Sequence, residues 1–567
     1  MTKHAPNATE LLASGMKKTG SDGVQRLHPR LLFGILVLLL VAPSVVWVLR
    51  DASVWTWDPA MYALFALRNA RSLIEAPSQW YTNLMTPAAT GPMLVWLAQL
   101  LVPLGQALGR VETGMLLTNV LLAAATLSCV GGTTYRLTRR LSGVATALFA
   151  CGGAAMFIAM ERMFLAEMSQ AAAVSFLMIT AFEAGRLRIA ILFPRLVAAA
   201  TLAMLAKFSS FIIVVPFLTY AGLAMWLGRR EPKQVASSGR VAFEALAALV
   251  LLVATLTWYW HNWVYVFAHA RRFSVTSDAL FYGSEGSLIT KLPFWFDGLS
   301  KSLSVFAPFG YLLLLFSLVA VLLVLWRTIR STPFTQCLAD AFLSGYLFVL
   351  CLAGIVVLTL VSYSLQINED IRFVTPLIPV VAVLLGWTAC AFGSRFVSAT
   401  FTILLAANLL ASQALATGAF QIEGAIGHLV PPMRSLPSLD RIEQAARASC
   451  AASPSGQPVG IAVSLPDFNQ NSLEFEAEKA RPASTTPCHF VSYSPYLTDA
   501  NEALRTLDAL KAEIVLTLPI EQLPADASNP WFYANAAAHG VAEELAASDA
   551  FERISASDAP FVLYRRR

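Results

Sequence analysis

Long apolar stretches separated by short polar ones dominate the chain from residue 31 to about residue 420. A helix needs roughly 20 apolar residues to cross the hydrocarbon core of a bilayer. Candidate spans are 31–49, 113–133, 142–160, 168–184, 190–206, 208–227, 241–260, 303–326, 341–364, 373–393 and 397–418. A further apolar stretch, 92–108, reads either as a twelfth span or as a helix lying in the interface. After residue 420 the pattern changes. Pro431, Pro432 and Pro437 punctuate a linker. Short apolar runs follow, Val459 to Leu465, His489 to Tyr493, Ile514 to Leu518 and Pro560 to Tyr564, and helical stretches such as Leu439 to Ala448 and Asn501 to Ala512 alternate with them. That alternation predicts a small α/β domain outside the membrane. The expected organisation is a polar tail over 1–30, a transmembrane domain over 31–420 with interfacial helices in its first outer loop (51–112), and an α/β domain over 421–567.

Composition agrees with the pattern. Hydrophobic types make up 57% of the 567 residues and charged types 13%, and the mean hydropathy is +0.61. Soluble domains carry about 25% charged residues. The chain is therefore not an ordinary cytosolic enzyme, a disordered protein or a nucleic-acid binder; its expected surroundings are the lipid bilayer. The apolar run 31–49 is too long for a signal-peptide core and lacks a small-residue cleavage site, so it reads as a retained first span.

Charge then orients the spans through the positive-inside bias. With the N-terminus in the cytoplasm and 92–108 interfacial, the cytoplasmic side collects Arg136, Arg139, Arg140, Arg186, Arg188, Arg229, Arg230, Lys233, Arg240, Arg327, Arg330 and Arg395. A full crossing by 92–108 would move nearly all of them outside. Eleven spans, with the C-terminal domain extracytoplasmic, is the better solution. The outer side then receives Asp51, Asp58, Glu75, Glu161, Arg162, Glu167, Lys207, Asp278, Glu285, Asp297, Glu369, Asp370 and Arg372. Ionisable groups beside apolar segments are costly and are functional candidates by default. Cys129, Cys151, Cys337, Cys351 and Cys390 lie in apolar runs, whereas Cys450 and Cys488 lie in the polar C-terminal part. Those two could pair in an oxidising compartment, though spacing alone does not decide it.

Five outer segments carry candidate chemistry. Trp55-Thr56-Trp57-Asp58-Pro59 follows the first span. Asp58 fits the N-cap of an interfacial helix that Pro59 would open, and it also fits a carboxylate held at the membrane surface to take a proton from a hydroxyl. Arg162 and Glu167 flank an outer turn, where an ion pair is the plain reading, although a spacing of five is not a clean helical pairing. Lys207 is a lone cation at the outer end of an apolar hairpin, suited either to snorkelling or to contact with a phosphate. Trp258-Tyr259-Trp260-His261-Asn262-Trp263 ends the seventh span like an aromatic belt. His261 has no second histidine at metal-ligand spacing, so no metal site is assigned and a divalent cation stays open. In Asn368-Glu369-Asp370-Ile371-Arg372-Phe373-Val374-Thr375-Pro376-Leu377-Ile378-Pro379 the prolines favour a loosened helix start. Arg372 there can clamp a phosphate, or pair with Glu369 or Asp370.

The aromatic-Asp-x-x-x-Tyr segment with Asp58 and Tyr62 resembles the GT-C fold glycosyltransferases, among them the protein O-mannosyltransferases and the lipid A aminoarabinose transferases. Tyr81 to Leu100, the Arg162–Glu167 segment, Lys207-Phe208-Ser209, the Trp258-Tyr259 segment and Arg372-Phe373-x-x-Pro-x-x-Pro resemble further segments of that family in the same order. The chain departs from the family pattern where Pro59 replaces a second acid and Met61 an arginine. The resemblance implies a helical polytopic fold and a sugar donor carried on a polyprenyl phosphate. It implies Asp58 as catalytic base, Glu167 as a second catalytic acid group, Lys207 and Arg372 as donor-phosphate ligands, and Tyr62, Arg162, Tyr259, His261, Glu369 and Asp370 in support. The acceptor would be a glycan, a lipid such as lipid A, or a protein, at the periplasmic face of the inner membrane. The segment from Asn262 to Ser302, with Gly283 and Gly286, reads as a lid. A transporter of lipid-linked saccharides would need charges at midplane, where few are found; a non-catalytic scaffold is the other alternative.

Overall fold

The computed structural model describes residues 29–86, 91–227, 238–276, 279, 282–331, 345–392, 394–419, 437–453, 456–482, 485–493, 497–525 and 535–567. The tail before residue 29, Arg229, Arg230, Lys233, Asp278, Cys337 and the expected domain boundary after residue 420 lie outside them.

Helices suited to the bilayer carry the predicted pattern. Among the described residues eight are long and apolar enough to cross a membrane, and two bent pairs qualify as broken spans. The pairs are Leu141–Gly152 with Ala155–Arg162, bent by 58°, and Leu288–Leu303 with Ala307–Leu323, bent by 105°. The helix Ala166–Phe182 is shorter and apolar. It is almost wholly buried, because its run of alanines and serines lets neighbouring helices approach closely. Prolines 43, 194 and 216 sit inside spans, where neighbouring helices can satisfy the freed backbone groups. The protein is a multi-pass membrane protein.

The stretch 92–108 does not cross. It forms two short helices, Met93–Ala98 and Val102–Ala107, which follow α1 (Trp57–Glu75) and Pro77–Leu84 at one end of the bundle. Gly91 is required there: a side chain would collide with the Leu205 and Ala206 carbonyls at the end of the helix Ile189–Ala206.

The helix that carries the seventh span, α2, runs Ser238–Val275 and so continues past the expected span of 241–260. Hydropathy falls after Trp260, but no proline or glycine interrupts 261–275, so the helix continues. Two expectations need correction besides. Asp58 is not the N-cap of α1. Thr56 holds that position, and Asp58 lies in the first turn. The expected lid over 262–302 is largely structured. Its ends are helical, and Gly283 between them bridges to Asn368.

The C-terminal unit has a five-stranded sheet ordered β2-β1-β3-β5-β4, with β1 Val459–Ile461, β2 Phe490–Ser492, β3 Ile514–Thr517, β4 Phe551–Arg553 and β5 Val562–Arg566. β1 pairs in parallel with β2 and β3, while β5 runs antiparallel to β3 and β4. Cys450 and Cys488 form a disulfide. The helix α3 (Gln470–Ala480) lies along α1. Arg68 meets Glu474 at 2.9 Å, Arg71 meets Glu478 at 2.9 Å, and Lys479 meets Glu112 at 2.6 Å.

The helix Val111–Thr138 measures the bundle. At 1.5 Å per residue its 28 residues span about 42 Å. Its first turn carries Glu112, bonded to the C-terminal unit, and its last turn carries Arg136, paired with Glu183 at the other end.

Candidate active site

Three breaks between helices bring charged groups together at the end of the bundle that carries the C-terminal unit. Asp58 enters from the first turn of α1. Lys207 sits in extended backbone between the helix Ile189–Ala206 and a single 3-10 turn, Phe208–Ser210. Arg372 comes from the 3-10 segment Ile371–Leu377, which Pro376 helps keep out of α geometry before the helix Ile378–Ala391 begins.

Arg372 is the hub. Its Nε donates to both Asp370 oxygens, at 3.0 and 2.8 Å, and its Nη2 also bonds Asp370. The same Nη2 lies 3.6 Å from Asp58 Oδ2. Asp370 also accepts from the Arg372 backbone N–H at 3.1 Å, which fixes the turn. Lys207 donates to Glu167 at 2.7 Å, with both side chains buried, and its ammonium lies 4.2 Å from the centre of the Phe373 ring. Phe373 follows Arg372, so the two ion pairs form one cluster of three carboxylates and two cations.

Asp58 lies in a recess walled by protein, yet half of its side-chain surface remains accessible. Burial of the carboxylate raises its pKa above the ordinary 3.8, Arg372 draws it back, and Glu167 and Asp370 add to the rise. For Asp370 burial also opposes the charge, but Arg372 more than offsets it and the pKa falls. The environment thus separates two neighbouring aspartates: Asp370 is held ionised, while Asp58 is the one whose proton affinity is increased.

The remaining candidates divide. Tyr62 is buried one turn along α1 from Asp58. Tyr259 donates to the Met204 carbonyl at 2.8 Å, beside the Lys207 break. Glu369 faces away from this cluster's cations: it accepts from Ser284 at 3.0 Å and lies 3.6 Å from Lys291. Two candidates do not join. Arg162 bonds Ser44 at 3.2 Å, the Ala416 carbonyl at 3.3 Å and Gln413 at 2.5 Å, not Glu167. The chain turns between Arg162 and Glu167, sending them to different helix packings. His261 is exposed and bonds the Thr257 carbonyl of its own helix.

Sequence reading missed Lys291. It is only 3% exposed and donates to the Gln366 and Ile367 carbonyls at 2.5 and 3.2 Å. These bonds tie the helix Leu288–Leu303 to the segment leading into Asp370. A lone lysine in the apolar run around Leu292 was the available signal. Gly283 permits the adjoining strap, since a side chain there would strike the Ile367 carbonyl at 2.0 Å. Gln170 was also missed. It donates to Ser209 and Ser210 just after Lys207, at 3.3 and 3.1 Å.

Among the described residues no three of His, Cys, Asp and Glu gather as a metal site. The cation between Asp58 and Asp370 is the Arg372 guanidinium.

No protein-family model matches the sequence, and no curated protein matches it. Among solved structures, the chain is similar to the apo-state crystal structure of ArnT from Cupriavidus metallidurans, with a TM-score of 0.53 at 13% identity over 94% of this chain and 97% of that one. It is also similar to the cryo-EM structure of the arabinofuranosyltransferase AftD from Mycobacteria, with a TM-score of 0.51 at 14% identity over 94% of this chain and 40% of that one. The fold is that of the GT-C glycosyltransferases.

Proposed function

We propose that the protein is an inverting glycosyltransferase of the bacterial inner membrane. It moves a sugar from a polyprenyl-phosphate carrier to a hydroxyl acceptor (lipid A, a polysaccharide or a protein) on the periplasmic face. The observation that carries this reading is the half-open Asp58 carboxylate 3.6 Å from a guanidinium that is itself fixed by Asp370. In the reaction the acceptor oxygen attacks the anomeric carbon and gives its proton to Asp58. The bond from that carbon to the phosphate oxygen breaks on the opposite face, and the polyprenyl phosphate leaves with the electron pair. Asp58 suits the base because its raised pKa brings its basicity closer to the working pH. Arg372 and Lys207 offer donors to the negative charge that builds on the departing phosphate. Glu167 holds Lys207 in place, and Asp370 does the same for Arg372. The basic end of the bundle lies opposite this cluster, which supports an extracytoplasmic site by the positive-inside bias.

The test is a deletion strain and one variant. Membrane glycolipids of the deletion strain should accumulate a polyprenyl-phosphate sugar, and a glycan modification should disappear. Asp58→Asn should fail to restore the modification, with transfer by purified protein down roughly 10²–10⁴-fold while undecaprenyl phosphate still binds. An unchanged lipid profile, or full transfer by Asp58→Asn, would overturn the assignment.

A further inference from the structure

The segment that delivers Asp58 has no cap of its own. Thr56 occupies the N-cap position of α1 without making a side-chain capping bond, and residues 51–56 are not helical. The C-terminal unit grips this segment, alongside Arg110 of the bundle, which donates to the Asp51 carbonyl. Ser472 Oγ donates to the Trp55 carbonyl at 2.7 Å, and Asn471 Nδ2 donates to the Trp57 carbonyl at 3.1 Å. The Trp57 indole donates in turn to Ser464 Oγ, just beyond β1, at 3.3 Å. The Trp55 ring is stacked between Phe475 of α3 and Phe164 of the bundle, at 5.8 and 5.3 Å. Phe164 lies three residues before Glu167.

The grip is itself rigid. Asn469 caps α3 by accepting from the Ser472 backbone N–H at 3.1 Å. Its amide donates to the Leu465 and Pro466 carbonyls at 3.0 and 2.9 Å. The two latch donors are therefore fixed at a helix start whose loop is also fixed.

We propose that Asn471 and Ser472 are positioning residues for Asp58. Through them the C-terminal unit sets where the catalytic carboxylate stands in the recess, so the unit is part of the active site. The proposal rests on the glycosyltransferase reading. Its physical basis is that the latch holds the carbonyls on both sides of Thr56, which leaves the entry to α1 no freedom to rotate. A displacement of the carboxylate by about 1 Å costs about 10²-fold in rate.

The experiment uses the full-length protein, with the polyprenyl-phosphate glycolipid purified from the deletion strain as donor, and rates normalised to monodisperse protein. Ser472→Ala and Asn471→Asp should lower kcat by about 10- to 100-fold with the donor KM unchanged. They should also displace the acidic limb of the kcat–pH profile, because the surroundings of Asp58 change. Ser472→Thr, which keeps the hydroxyl, should restore both. A purely structural role would lower the yield of monodisperse protein but leave kcat and the limb of the surviving fraction as in the parent; that result overturns the proposal. Asp58→Asn is run alongside. Full activity in Asp58→Asn would show that the parent reading had failed. An inactive Asp58→Asn together with unaltered latch variants would show that the latch alone had failed.

Discussion

Asp58 and Asp370 share Arg372 but meet different surroundings, and the difference can be read as a pH dependence. In the proposed reaction Asp58 must be ionised to accept a proton. Because burial raises the Asp58 pKa, activity should fall on acidification at a pH above the ordinary aspartate value of 3.8. Arg372 pulls the Asp58 pKa down, so Arg372→Ala should move the acidic limb of kcat/KM to still higher pH as well as lowering the rate. A limb that stays put or moves down would contradict the coupling. The Lys207–Glu167 pair makes a separate prediction at this scale. Both side chains are buried, and removing one partner of a buried pair costs about 3–5 kcal/mol. Glu167→Gln should therefore lower the thermal denaturation midpoint in detergent as well as the activity. The sequence exposed these five residues because a charge next to an apolar run stands out. It did not reveal that Arg162 turns away to Ser44 and Gln413, since a five-residue spacing does not say which helix each side chain will face.

At the scale of elements, hydropathy read along the chain located the spans because lipid imposes one condition, apolar length, on each of them. It did not show that the helix α2 continues beyond the span's expected end at Trp260, because a helix may outrun the membrane. Nothing in a local pattern could reveal the seam between α1 and α3, whose partners are some 400 residues apart. Their charges look like ordinary solvated faces: Arg68 and Arg71 on one helix, Glu474 and Glu478 on the other. In the fold Glu478 is nearly inaccessible and serves Arg71 and Arg481, each at 2.9 Å. Glu478→Ala should accordingly strand these arginines and destabilise the protein by about 3–5 kcal/mol, measured as a lower midpoint of thermal aggregation. Glu443→Ala, which removes only an exposed pair within the helix Pro437–Ala452, should shift that midpoint by less than about 1 kcal/mol equivalent.

For the whole molecule, the two ends of the bundle differ in chemistry: Arg136 and Arg195 around Glu183 at one end, the three-carboxylate ion cluster and the disulfide-bonded sheet at the other. Single cysteines introduced at Ser14 in the tail and at Asp549 in the C-terminal unit should therefore label from opposite sides of the membrane in intact cells. The Cys450–Cys488 bridge closes a separation of 38 residues and contributes about 2–4 kcal/mol. Reduction should lower the thermal midpoint of the sheet unit and, through α3, weaken its hold on α1.

The Trp55 sandwich also has a consequence for the time course of synthesis. Asp58 is made early, but the hydroxyl and amide that grip its segment emerge more than 400 residues later, Asn471 standing 414 positions beyond Trp57. At about 5–20 residues per second the ribosome needs roughly 20–80 s to cover that distance. Until then the nascent protein can thread its spans into lipid with Asp58 unplaced, so on the proposed function a truncated product would occupy the membrane yet transfer no sugar.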